Sequence, residues 1–78
     1  MNMDCIDFID KVKHLMKTDE VTILILNSNN VVSGAIYTTI DTYTSDIQRA
    51  EMYYETNVID FWFQENKLLI WAKKGVVK

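Results

Sequence analysis

Apolar positions recur along this chain in two rhythms, helical at the start and strand-like through most of the rest. Cys5, Phe8, Ile9, Val12, Leu15 and Met16 follow i, i+3, i+4, i+7, i+10 and i+11, which predicts an amphipathic helix over residues 4–17 with one buried face. Asn2 or Asp4 can cap it. Asp4, Asp7 and Asp10 precede Lys11, Lys13, His14 and Lys17, so the charges complement the helix dipole, with Asp7–Lys11 and Asp10–His14 as i, i+4 pairs. Residues 21–26, VTILIL, are β-branched and almost continuously apolar, the pattern of a central strand covered on both faces. Asn27, Ser28, Asn29 and Asn30 then turn the chain, because Asn tolerates positive φ and bonds locally to backbone.

A second strand is predicted over residues 31–40, where Val32, Gly34, Ile36, Thr38 and Ile40 alternate with Val31, Ser33, Ala35, Tyr37 and Thr39. The even set is the expected core face, and Gly34 suits a bulge or a close helix. Ser45 and Gln48 match a capping box and predict a helix over residues 45–55, with Ile47, Ala50, Tyr53 and Tyr54 on its apolar side. A hairpin follows, with strands 58–64 and 67–73 joined at Glu65 and Asn66.

The resulting order, α-β-β-α-β-β, predicts a single α+β domain over residues 1–78. Its simplest packing is a two-layer fold, with both helices on one face of a four-stranded, mostly antiparallel sheet. The other face is then open. A two-residue turn at Glu65-Asn66 sets Phe63 opposite Leu68, Phe61 opposite Ile70 and Ile59 opposite Ala72 on the core side. The reverse side carries Trp62 opposite Leu69, Asp60 opposite Trp71 and Val58 opposite Lys73. Trp62, Leu69 and Trp71, joined by Leu24, Leu26 and Tyr37, are therefore the candidate partner or dimer interface. Asp60, with Gln64 and Lys67, supplies a polar rim.

Composition narrows the function classes. The chain is 49% hydrophobic and 24% charged with two Gly and no Pro, an ordinary globular balance without linker or tail character. Eleven acids against eight bases give a net charge of −3, which argues against a binder that works by neutralising phosphates. An aromatic four-stranded sheet can stack bases, but no Lys/Arg-Gly-aromatic motif is present and the hairpin offers mainly Lys67 and Lys73. No direct nucleic-acid partner is expected. The single Cys5 fits a reducing compartment, residues 1–10 lack signal-peptide character, and no apolar run approaches the ~20 residues of a membrane span. The expected setting is cytosolic, away from membranes.

No catalytic or metal-binding signature emerges, so neither an enzyme activity nor a cofactor or metal is expected. Cys5 near a helix start is a candidate thiolate, yet it has no second Cys, and the only His, His14, lies on a different helix face. Structural burial is the preferred reading of Cys5. Asp41, Asp46, Glu51 and Glu55, with Asp19 and Glu20, form a second candidate partner surface if the second helix adjoins the strand connections.

Seven Lys against one Arg, no Pro, and abundant Asn, Ile and Tyr, together with small size and mild acidity, resemble small phage or mobile-element proteins, among them anti-CRISPR-like anti-defence inhibitors. The resemblance is one of profile across the whole chain and carries over no individual residue. It implies a stoichiometric inhibitor that binds a host nuclease or defence complex such as CRISPR-Cas, a nucleic-acid enzyme. The reading is therefore a small non-enzymatic protein-interaction module, with homodimerisation as a second use of the same face. Its alternative is a self-assembling structural or regulatory subunit of a phage or bacterial complex.

Overall fold

The structure, a computed structural model, describes residues 3–17, 19–50, 56–64 and 66–74. The first helix, α1, runs over Cys5–Val12 and is capped by Asp4, whose Oδ1 accepts the Asp7 N–H at 2.8 Å. It is shorter than the predicted 4–17. Lys13–Leu15 tighten into a 3-10 turn and Met16 is already extended. A 3-10 turn advances the chain three residues per turn, so the 3.6-residue stripe slips out of phase and Leu15 is left 61% exposed. Cys5, Phe8 and Ile9 are the buried face.

Four strands follow from the apolar runs: β1 over Glu20–Leu26, β2 over Val32–Thr39, β3 over Thr56–Phe63 and β4 over Lys67–Lys74. Between β1 and β2 the Asn27 side-chain carbonyl accepts the Asn29 N–H at 2.8 Å and the Val31 N–H at 3.2 Å. Asn30 takes the left-handed φ of 63° that such a turn requires. The second helix, α2, spans Tyr43–Arg49, and Ala50 is extended. The part of the predicted 45–55 helix beyond it, with Glu51 and Glu55, lies outside the described residues.

The helix starts earlier than its sequence signal because Tyr43 is drawn into the core, where it is 4% exposed. Its hydroxyl donates to the Asp10 carboxylate, and the Lys13 ammonium sits 5.6 Å above its ring centroid. Asp10 thus partners Tyr43 of α2 rather than His14. Ser45, the expected cap, is inside the helix and donates its hydroxyl to the Thr42 carbonyl at 3.3 Å.

The fold is α+β with a mixed sheet in the order β2-β1-β4-β3. The β1–β2 and β3–β4 pairs are antiparallel hairpins, and a parallel β1–β4 ladder joins them. In this order β1 is internal whereas β3 is an edge. Val21, Ile23 and Ile25 of β1, Leu68, Ile70 and Ala72 of β4, and Val58 of β3 form one core with Cys5, Phe8, Ile9, Tyr43 and Ile47 of the helices. Ile36 and Ile40 pack against it.

The β3–β4 register agrees with the sequence pattern from Phe63–Leu68 to Asp60–Trp71 and then slips by one residue. Val58, not Ile59, opposes Ala72 in the core, and Ile59 is the bulged residue, 51% exposed. Two local hydrogen bonds fix this choice. Asp60 Oδ1 accepts the following Phe61 N–H at 2.8 Å, and the Met3 carbonyl accepts the Val58 N–H at 2.8 Å. Phe61 stacks against Phe8 of α1 at 4.9 Å between centroids, but Phe61 and Phe63 remain 38% and 45% exposed at the sheet margin.

Candidate functional site

The ladder registers assemble the outer sheet surface row by row. One row reads Tyr37–Thr22–Leu69–Trp62 across β2, β1, β4 and β3, and the next reads Ala35–Leu24–Trp71–Asp60. Side chains alternate between faces along a strand, so these residues share the face opposite Ile23, Ile36, Ile70 and Phe61. Trp62, Leu69, Trp71, Asp60 and Tyr37 therefore stand together, with Leu24 between them. Both helices give their buried side chains to the inner set, which leaves the outer rows without a helix over them among the described residues.

Among the large apolar side chains of the two rows, exposure is greatest at the two ends of the first, where Tyr37 is 74% and Trp62 62% exposed. Leu24, Leu26, Leu69 and Trp71 between them are half-buried by their neighbours. Thr22, flanked in the register by Tyr37 and Leu69, is 6% exposed. Strands lie about 4.8 Å apart, so a four-residue row spans roughly 14 Å. The surface is thus a shallow aromatic band with Glu20 and Lys67 at one end and Lys73 at the other. Its charged residues are interspersed in sign.

Sequence reasoning missed a second apolar strip. Phe61, Phe63 and Ile59 were expected inside, but all three are exposed by more than a third. An aromatic edge strand with a bulge is the signal that identifies it, because the bulge lifts one apolar residue out of the alternation.

Asp41 is exposed. Asp46 is engaged locally rather than free for a partner, since its Oδ2 accepts the Thr38 hydroxyl at 2.6 Å and the Thr42 hydroxyl at 3.1 Å. Its Oδ1 accepts the Arg49 guanidinium at 2.6 Å. The Thr38 hydroxyl first, and then Arg49, hold the Asp46 carboxyl below its usual 3.8. The carboxylate form is therefore favoured by folding, so this contribution is complete above pH 3.8 and is lost as pH falls through the lower folded value. Acid unfolding of Asp46→Asn is expected to show a shallower pH dependence below 3.8 than the wild type; identical acid limbs would contradict this network.

Cys5 is 2% exposed, and burial, aided by the neighbouring Asp4 charge, pushes its thiol up to about 11 against a weaker opposing hydrogen bond with Thr56. At neutral pH it is a protonated core side chain, lacking the thiolate a nucleophile needs. His14 is exposed and lies in the 3-10 turn. Among the described residues no group of three or more His, Cys, Asp or Glu side chains is placed to hold a metal ion, and no helix is long and apolar enough to cross a membrane.

Comparison with protein-family models, curated proteins and solved structures finds no match to this chain.

Proposed function

We propose that this chain is a small protein-interaction module whose outer sheet face, centred on Trp62, Leu69 and Trp71, docks onto a protein partner. The observation that carries the reading is the two-row aromatic band with Tyr37 and Trp62 at its exposed ends. Exposed large apolar side chains grouped on one face mark interaction sites, and Trp and Tyr are favoured anchors because they bury large rigid area at small entropic cost. Asp60, beside Trp71, gives the band a polar margin that can fix orientation.

The whole-chain profile favours a stoichiometric inhibitor that acts on a nucleic-acid enzyme of a host defence system. The net charge of −3 fits a partner with a basic substrate channel. Binding would act by obstruction, with the sheet as a rigid platform and no chemistry required of the side chains. The test is acrylamide quenching of tryptophan emission in the free chain and in its complex with a captured partner. Trp62 emission is expected to be strongly quenched when free and shielded in the complex; equal quenching in both states would remove the outer face from the interface.

A further inference from the structure

The two edges of the sheet are finished differently. On β3 the phase of the ladder is set by the Gln64 N–H donating to the Lys67 carbonyl, so the backbone groups of Phe61 point away from β4. The Phe61 N–H is taken by the Asp60 carboxylate, the Val58 N–H by the Met3 carbonyl, and the bulge at Ile59 twists the strand. These are devices by which proteins close an edge to further pairing. The β2 edge has none of them at its centre. Residues 31–40 contain no charged residue and no Pro in a chain of net charge −3.

The phase of β2 follows from the Ile40 N–H, which donates to the Asp19 carbonyl at 2.8 Å. Gly34, Ile36 and Thr38 therefore face β1, and Ala35, Tyr37 and Thr39 turn their N–H and C=O groups outward. The Thr39 carbonyl is occupied by the Thr42 N–H at 3.2 Å. Ser33 is the extra residue of the β1–β2 bulge, and its hydroxyl bonds the Ile25 carbonyl. What remains open for pairing is the backbone of Ala35 and Tyr37.

We infer that β2 pairs antiparallel with β2 of a second copy of this chain, about a two-fold axis at Ile36, doubling the four-stranded sheet. An axis at Ala35 would call on bulged Ser33, and an axis at Tyr37 would set two Tyr37 rings together and need the occupied Thr39 carbonyl. The Ile36 axis draws its central backbone bonds from Ala35 and Tyr37 alone and leaves Ser33 opposite Thr39 at the margins, where neither is needed. It sets Ala35 opposite Tyr37 of the second copy, so each gives both backbone groups to the seam and a large outer side chain meets a small one. Thr38 then meets Gly34, and the regular seam ends at bulged Ser33 and at Thr39, the last residue of β2. No charge faces a charge across the seam, which is the condition a self-pairing strand of an acidic protein must satisfy.

The inference does not rest on the outer-face reading: the seam uses backbone at the β2 edge and, although it brings Tyr37 at the end of the band to the seam, leaves Trp62 and Trp71 uncovered. The test is molar mass by light scattering over a micromolar to millimolar series, with amide exchange on the same samples. The unmodified chain is expected to reach about twice its 9.1 kDa, with Ala35 and Tyr37 amides protected only in the dimer range. Ala35→Pro removes one outward N–H, and Pro is tolerated at an edge, so its mass should halve with an unchanged circular-dichroism spectrum. Should that variant fail to fold, the exchange data on the unmodified chain decide. A monomer at every concentration, a dimer retained by folded Ala35→Pro, or a dimer with unprotected Ala35 and Tyr37 amides would each overturn the inference. Trp62→Ala with Trp71→Ala should leave the dimer intact; halving of the mass by that pair would place the seam on the outer face instead.

Discussion

Trp62→Ala is expected to weaken partner binding by about thirtyfold or more while leaving the fold in place. The magnitude follows from the class of residue: a tryptophan that becomes buried as an interface anchor is typically worth about 2 kcal/mol or more on truncation. The fold is spared because Trp62 is 62% exposed on an edge strand, and its inner neighbour in the register is half-buried Leu69 rather than the core. Substitutions at such positions usually shift stability by less than about 1 kcal/mol. Adding Trp71→Ala should abolish measurable binding. Titration calorimetry against the partner, with thermal melts of each variant, separates the two effects, and binding loss that merely tracks loss of fold would count against the surface.

Ile70→Ala is the opposite case, a large loss of stability at a position remote from the outer face. Ile70 is 0% exposed and sits in the register between Ile23 of β1 and Phe61 of β3, so it is the strand residue through which both hairpins meet. Truncating a buried isoleucine to alanine costs about 2–5 kcal/mol, partly as lost transfer energy and partly as the cavity left behind. In a domain of this size, whose whole stability is on the order of 5–10 kcal/mol, that leaves a substantial unfolded fraction. Urea unfolding should show a lower midpoint at an unchanged slope. A midpoint shift worth less than about 1 kcal/mol would mean that the β1–β4 junction is not the centre of the core.

How much of this was legible in the sequence depends on which force fixes each feature. The central place of β1 left its mark directly: the almost continuously apolar VTILIL run marks it as central, and it is internal, paired with β2 and β4, although the expected cover on both faces is not found among the described residues, since Leu24 and Leu26 of its outer face are only half-buried. The β3–β4 part of the outer rows was legible too, because the alternation in residues 60–63 and 68–71 survives undisturbed on both strands. The position of Ile59 was not. Val58 and Ile59 are both apolar and β-branched, so periodicity offers no preference between them, and the selection is made by the Asp60 carboxylate and the Met3 carbonyl. Bonds of that kind depend on where neighbouring backbone happens to lie.

Longer-range order was less visible. Hairpins join neighbours in sequence, but nothing in the spacing of apolar residues says that β4, rather than β3, lies against β1. The early end of α1 was hidden because Leu15 and Met16 extend its stripe in sequence while the 3-10 turn rotates them out of it. The start of α2 was hidden by a competing cap signal. Ser45 has the right chemistry, but burial of Tyr43 and its hydrogen bond to Asp10 outweigh it and draw the helix start forward. Asp46 looked like one of several free acids, and only the fold brings Thr38 to it from eight residues away.

The central claim, that the outer sheet face is a protein-binding surface, is tested most directly by quantitative affinity capture from cells expressing the wild type, Trp62→Ala with Trp71→Ala, or Asp41→Ala as an exposed control. A partner should be retained by the wild type and by Asp41→Ala, and be lost with the tryptophan pair while that variant keeps its folded circular-dichroism spectrum. A partner retained equally by the tryptophan variant would contradict the claim and move the interface to another surface.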